Sequence, residues 1–169
     1  MISDVIYHDL NEIIDTRGSF IKIFSKNWGD LNPLELEESF VTRSIKGTTR
    51  GMHLQVGPTA NWKIISVIEG RVFDVLVDIR KNSESYLHTM QKYISSGTTI
   101  ILPPGIAHGF QAIENSTLIY FSSKAHDPKY DLGINVKSLV IDWPLDFNIQ
   151  SDRDRDFPDL KDFVSELDA

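Results

Sequence analysis

The sequence contains no cysteine. That excludes disulfide staples, thiolate metal sites and cysteine nucleophiles, and it fits a reducing cytoplasm as the expected location. No stretch approaches 18 apolar residues, so neither a membrane-spanning helix nor a membrane partner is expected. Met1 to Asp9 carries acids where a secretory signal would carry a basic flank and an apolar run, so export is not expected. Basic charge is also scarce: 17 Lys and Arg against 24 Asp and Glu leave a net charge of -7. A sequence-independent grip on a phosphate backbone is therefore disfavoured, and nucleic acid is not an expected partner. What is present, 169 residues at 41% hydrophobic and 24% charged, supports one core, and residues 1–169 are expected to form a single domain.

Most of the chain reads as short apolar segments broken by turn residues every eight to twelve positions, the spacing of an all-β sandwich or barrel. Strands are expected at Ser19 to Ser25, Phe40 to Lys46, Trp62 to Glu69, Arg71 to Asp78, Thr89 to Ser95, Thr98 to Leu102, Phe110 to Ile113 and Thr117 to Ser123. Glu69-Gly70 reads as a turn joining two of them into a hairpin. Pro103-Pro104-Gly105 breaks the pattern, because proline cannot donate to a ladder and glycine permits a tight turn. Near the C-terminus, Ser151 to Asp156 is a charge run and Pro158 to Leu167 fits one short amphipathic helix.

Two of the five histidines stand in strand-like settings beside glycine. Alternation in Arg50-Gly51-Met52-His53-Leu54-Gln55 puts His53 and Gln55 on one, polar face and Met52 and Leu54 on the other. Taken alone, each histidine has a plain structural reading as a hydrogen-bonded core or rim residue. Gly97, Pro103, Gly105 and His108 together fit the second motif of the cupin superfamily of jelly rolls, and the chain resembles that superfamily. A metal-binding cupin would supply a His-x-His pair and a glutamate, whereas here His53-Leu54-Gln55 stands without the acid, so no metal is expected.

A closer resemblance spans nearly the whole chain. Asp15-Thr16-Arg17-Gly18-Ser19-Phe20, Arg50 to Gln55, Lys63 before an apolar strand, Val72 to Arg80, Pro104 to Phe110, Ile141-Asp142-Trp143-Pro144-Leu145 and Ser151-Asp152-Arg153-Asp154 occur in order. Together they resemble the dTDP-4-dehydrorhamnose 3,5-epimerase family. The resemblance implies a cupin-type double-stranded β-helix jelly roll with short terminal helices. It also implies a homodimer in which the partner subunit completes the site, no cofactor, and epimerisation at C3, C5 or both of a nucleotide-linked 4-keto-6-deoxy sugar in deoxysugar or surface polysaccharide synthesis.

Carried over by motif, His53 is the base and Asp152 its orienting carboxylate. Lys63 and His108 face the developing enolate oxygen, and Tyr120 is the general acid. Arg50, Arg17 and Arg153 are expected at the diphosphate. Phe20, Lys22, Gln55, Phe110 and His126 complete the expected substrate-binding set. Two of these depart from the family's pattern. Lys22 replaces a glutamate that accepts a hydrogen from thymine; a lysine cannot accept, which leaves CDP- or GDP-linked substrates open beside dTDP. His126 stands where a second tyrosine packs near the base or sugar. Two alternatives remain at this stage: a 3,4-ketoisomerase of the same superfamily, and a non-catalytic cupin that binds a nucleotide sugar.

Overall fold

Alternation along the central strands decides which side chains meet. In β6 (Lys63–Glu69), Ile65 and Val67 point one way and Ile64 the other, and none is exposed, as in a strand covered on both faces. The computed structural model describes residues 2–25, 28 and 35–168. Among these, two five-stranded antiparallel sheets form. The first runs in spatial order β1 (Ile6–Asp9), β9 (Thr98–Leu102), β6, β11 (Ser116–Ser122) and β4 (Glu38–Ser44). The second runs β12 (Asp131–Gly133), β5 (Thr49–Gln55), β10 (Ile106–Ala112), β7 (Arg71–Asp78) and β8 (Thr89–Ser95). A separate two-stranded unit pairs β2 (Glu12–Asp15) with β3 (Gly18–Ile21).

The inner faces of the two sheets close on one core, in which Ile65, Val67, Ile100 and Leu118 of the first meet Val72, Leu76, Ile106 and Phe110 of the second. The outer face of the second sheet presents Met52, Leu54, Val75 and Val77. The C-terminal part of the chain covers it with Ile134, Val136, Leu139, Trp143 and Phe163. Phe163 lies on α2 (Leu160–Asp168), where Leu160, Phe163, Val164 and Leu167 recur at helical spacing and pack on that face. The expected helix over 158–167 is thus present, shifted by two residues at its start. The outer face of the first sheet buries Ile64 and Ile101 under Phe24, Trp28, Trp62 and Phe121.

The all-β jelly-roll expectation holds, with differences at the ends and at one turn. The Arg50 to Gln55 segment is the body of a full strand. β1, β2 and β12 are too short to register as periodic patterns, and β3 ends at Ile21, short of the expected Ser25. The hairpin expected at Glu69-Gly70 does not form, because β6 and β7 lie in different sheets. Gly70 alone separates the two strands, fewer than the two residues that a tight reversal takes. At φ 78° it carries the chain across the sandwich instead. A Cβ built on Gly70 would lie 2.1 Å from the Asn115 carbonyl oxygen. Replacing Gly70 with alanine is expected to cost roughly 3 kcal/mol in urea unfolding, combining an unfavourable φ with a backbone clash. Gly97→Ala, where φ is 89° but a Cβ meets nothing within 4 Å, is the comparison and should cost only about 1 kcal/mol.

Candidate active site

At one end of the sandwich the inner faces turn polar. The period of two that buries Met52 and Leu54 outward sends His53 and Gln55 of β5 inward, and it does the same for His108 and Phe110 of β10. Lys63 of β6 and Tyr120 of β11 face them from the other sheet. Two adjoining hollows result. One, of about 140 Å³, is lined by residues including His53, Gln55, Lys63, Tyr120, His126 and Asp131. The other, of about 220 Å³, is lined by residues including Arg50, His53, Lys63, His108, Phe110 and Tyr120. Beyond His53 a wider groove of about 630 Å³ carries Arg43, Arg50 and Arg153.

His53 is held by Asp154 and not by Asp152. The Asp154 Oδ1 atom lies 2.9 Å from His53 Nε2, and Oδ2 accepts the Gly51 amide at 2.9 Å. Asp152 is exposed and paired with Arg155. The reason is helical geometry. Ser151 caps α1 (Asp152–Arg155) by accepting from the Asp154 amide, so Asp152 is the first helical residue and points to solvent, while Asp154, the third, turns back over β5. The Ser-x-x-acid spacing of a capping box was the legible signal. Burial pushes the Asp154 carboxyl up, but the His53 hydrogen bond and charge and the Gly51 amide outweigh it and hold the group below the ordinary carboxylate range. Asp154 therefore accepts from Nε2–H, an assignment that leaves the Nδ1 lone pair of neutral His53 free to take a proton.

A second imidazole–carboxylate pair lies deeper. His108 Nε2 is 2.7 Å from Asp74 Oδ1, and the Tyr7 hydroxyl donates to Asp74 Oδ2 at 3.3 Å. Asp74 has no exposure and His108 is 5% exposed, so His108 is an interior residue and not a rim residue. Sequence reasoning passed over Asp74, although an acid in step with Val72 and Leu76 on an otherwise apolar strand marks a charge turned into the core.

The Lys63 ammonium makes no hydrogen bond or ion pair among the described residues. Burial pushes its ammonium down to about 8, against the opposing charge of Asp131. Burial likewise pushes the Tyr120 phenol above its usual value, with the Thr42 hydroxyl opposing and the Asp74 charge adding. The Tyr120 ring stacks on Phe40 at 4.6 Å, nearly parallel. His126 and Arg153 converge on Asp131, at 3.1 Å and 2.6 Å. Arg17, Phe20 and Lys22 lie on or just after the β2–β3 unit, all exposed, and line neither hollow; Arg17 is paired with Asp15. Among the described residues no three His, Cys, Asp or Glu side chains cluster as a metal site would require.

The family model for dTDP-4-dehydrorhamnose 3,5-epimerase matches residues 1–162. The dTDP-4-dehydrorhamnose 3,5-epimerase of Methanothermobacter thermautotrophicus is 34% identical over 158 residues, covering 88% of this chain and 85% of that protein. A dTDP-4-dehydrorhamnose 3-epimerase of Streptomyces niveus is 36% identical over 129 residues, covering 73% of this chain and 62% of the relative. Among solved structures, a 4-keto-6-deoxy sugar epimerase from the novobiocin biosynthetic gene cluster of Streptomyces spheroides superposes with a TM-score of 0.90 at 30% identity, over 98% of this chain and 87% of that one. With its cupin-type jelly roll and a match across nearly its whole length, the chain belongs to the dTDP-4-dehydrorhamnose 3,5-epimerase family, a family of isomerases that act on carbohydrates.

Proposed function

We propose that this protein epimerises a nucleotide-linked 4-keto-6-deoxy sugar at C3, C5 or both, using His53 as base and Tyr120 as acid. The observation that carries the reading is that His53 and Tyr120 reach the same hollows from opposite sheets and that Lys63 lines both. A ketone at C4 acidifies the neighbouring C–H bonds. His53 Nδ1 takes the proton from one face, the electron pair moves onto the C4 oxygen, and the ammonium of Lys63 stabilises the enolate, with His108 beside it. Tyr120 then protonates the same carbon from the opposite face, which inverts it. A phenol kept protonated by burial suits that acid role, and a carboxylate kept ionised suits Asp154 as the group that stabilises the imidazolium.

Arg50 and Arg153, on the groove beyond His53, are read as diphosphate ligands. The β2–β3 unit exposes Ile13, Ile14 and Phe20, and the edge strand β4 exposes Phe40 and Val41. Such uncovered apolar surface and an unpaired edge support a homodimer in which Arg17, Phe20 and Lys22 serve the partner's site. Relatives named as 3,5-epimerases and as a 3-epimerase resemble the chain about equally, so the carbons inverted and the nucleobase beside Lys22 are questions for substrate trials.

Incubated in D2O with dTDP-, CDP- or GDP-linked 4-keto-6-deoxy sugars, the protein should place deuterium at C3 or C5 for at least one nucleotide, read by NMR. His53→Ala and Asp154→Ala should lose that exchange, by about a thousandfold for the base, while Asp152→Ala keeps it. Unchanged exchange in His53→Ala would refute the assignment of the base. A 3-keto product would indicate the ketoisomerase, and tight binding without exchange a non-catalytic cupin.

The pH dependence follows from Lys63. Its charged form is the one that stabilises an enolate, so kcat/KM should fall as pH rises through about 8. Lys63→Arg, always charged, should move that limb upward in pH even where it lowers the plateau rate.

A further inference from the structure

The imidazole of His53 is fixed in its plane by Asp154, but a hydrogen bond at one nitrogen leaves the ring free to tilt about that bond. The segment that follows Asp154 supplies a second restraint. Phe157 lies three residues on and packs against His53 with ring centroids 5.5 Å apart at 81°. The space it occupies exists because of a glycine. In the β12–β5 ladder Gly133 stands directly opposite His53, and a Cβ built on Gly133 would lie 2.2–2.4 Å from three carbons of the Phe157 ring. Two hydrogen bonds pin the segment to the residues after β12: the Asn135 amide donates to the Pro158 carbonyl at 2.8 Å, and Asn135 Nδ2 donates to the Arg155 carbonyl at 3.1 Å. On the far side, Phe157 borders a cavity of about 330 Å³ under α2, and the Arg153 guanidinium sits 5.2 Å from its ring centroid.

We propose that Phe157, seated in the slot left open by Gly133, is a positioning residue that fixes the tilt of the His53 ring and walls its Nε2–H···Asp154 hydrogen bond off from the cavity under α2. The inference rests on the reading of His53 as the base for its effect on turnover, but not for its effect on the imidazole itself. A base that must meet a C–H bond in line loses rate steeply with small misplacements, whereas substrate affinity, set elsewhere, does not follow.

The test pairs kinetics with 15N NMR of the native dimeric or monomeric protein, whichever forms. Phe157→Ala should lower kcat about tenfold with KM within about twofold, and the His53 Nε2–H proton, expected as a resolved signal in the native protein, should broaden into water. Phe157→Leu, which refills the slot with apolar bulk, should restore most of both. Gly133→Ala, which drives the ring out of its seat while leaving Phe157 in the sequence, should reproduce the Phe157→Ala effects. Native kcat and a native Nε2–H signal in Phe157→Ala would overturn the proposal. So would equal losses in Phe157→Ala and Phe157→Leu that track a lowered Tm, which would make Phe157 an ordinary core residue. If His53 is not the base, the Nε2–H signal still responds while turnover does not, so failure of the functional reading is distinguishable from failure of this one.

Discussion

One carboxylate ties the candidate site together. Asp154 accepts the Gly51 amide with one oxygen and His53 Nε2 with the other, both at 2.9 Å. Through it α1, the short helix before α2, is fastened to the strand that carries His53. A carboxylate with two donors is held ionised, and an ionised partner selects the imidazole tautomer with its lone pair on Nδ1. Without those two bonds, His53 would choose its own tautomer, α1 would lose its hydrogen bonds to β5, and the segment that carries Phe157 would be held by the two Asn135 hydrogen bonds alone. The placement of the His53 ring and the docking of α1 are thus the work of one carboxylate.

The rest of the interior works against its own stability. A sandwich of this size gains most from an apolar inner face, yet Asp74, His108 and Tyr120 sit buried on that face with Lys63 half-buried beside them. Asp74 is compensated by two donors, His108 and Tyr7. Lys63 is not compensated by any direct partner, and its lowered pKa reflects that. A half-buried charge without a partner is costly for folding and useful for chemistry, because an oxyanion forming beside it meets a preorganised cation partly shielded from water. The apolar remainder of the inner face, around Leu118 and Val67, and the outer layer around Met52 and Phe163 supply the stability on which that arrangement draws.

Much of this was legible in the residues. Alternation alone put His53 and Gln55 on one face and Met52 and Leu54 on the other, as they are, because a strand in a two-sided sheet has no freedom to do otherwise. The Pro-Pro-Gly turn and the amphipathic tail were readable for similar local reasons. Which strands pair was not readable. Glu69-Gly70 looks like a hairpin turn until the linker is counted and found one residue too short. Asp152 and Asp154 are equivalent in a charge run, and only the capping role of Ser151 separates them by turning one outward and the other in. Alternation turns Asp74 inward, but neither its pairing with His108 nor the packing of Phe157 on His53 is encoded locally, because each partner is distant in sequence.

Asp131 shows how closely the two ends of the site are coupled. Its carboxylate takes Arg153 at 2.6 Å and His126 at 3.1 Å, and these bonds hold it below the ordinary range against the pull of burial. The same negative charge is the one that opposes the fall of the Lys63 pKa. Arg153 in turn lies over Phe157 and borders the groove beyond His53. Asp131 is thus the carboxylate that ties together the two cations lining these spaces: it binds Arg153 directly, and its charge acts on Lys63 across the hollow.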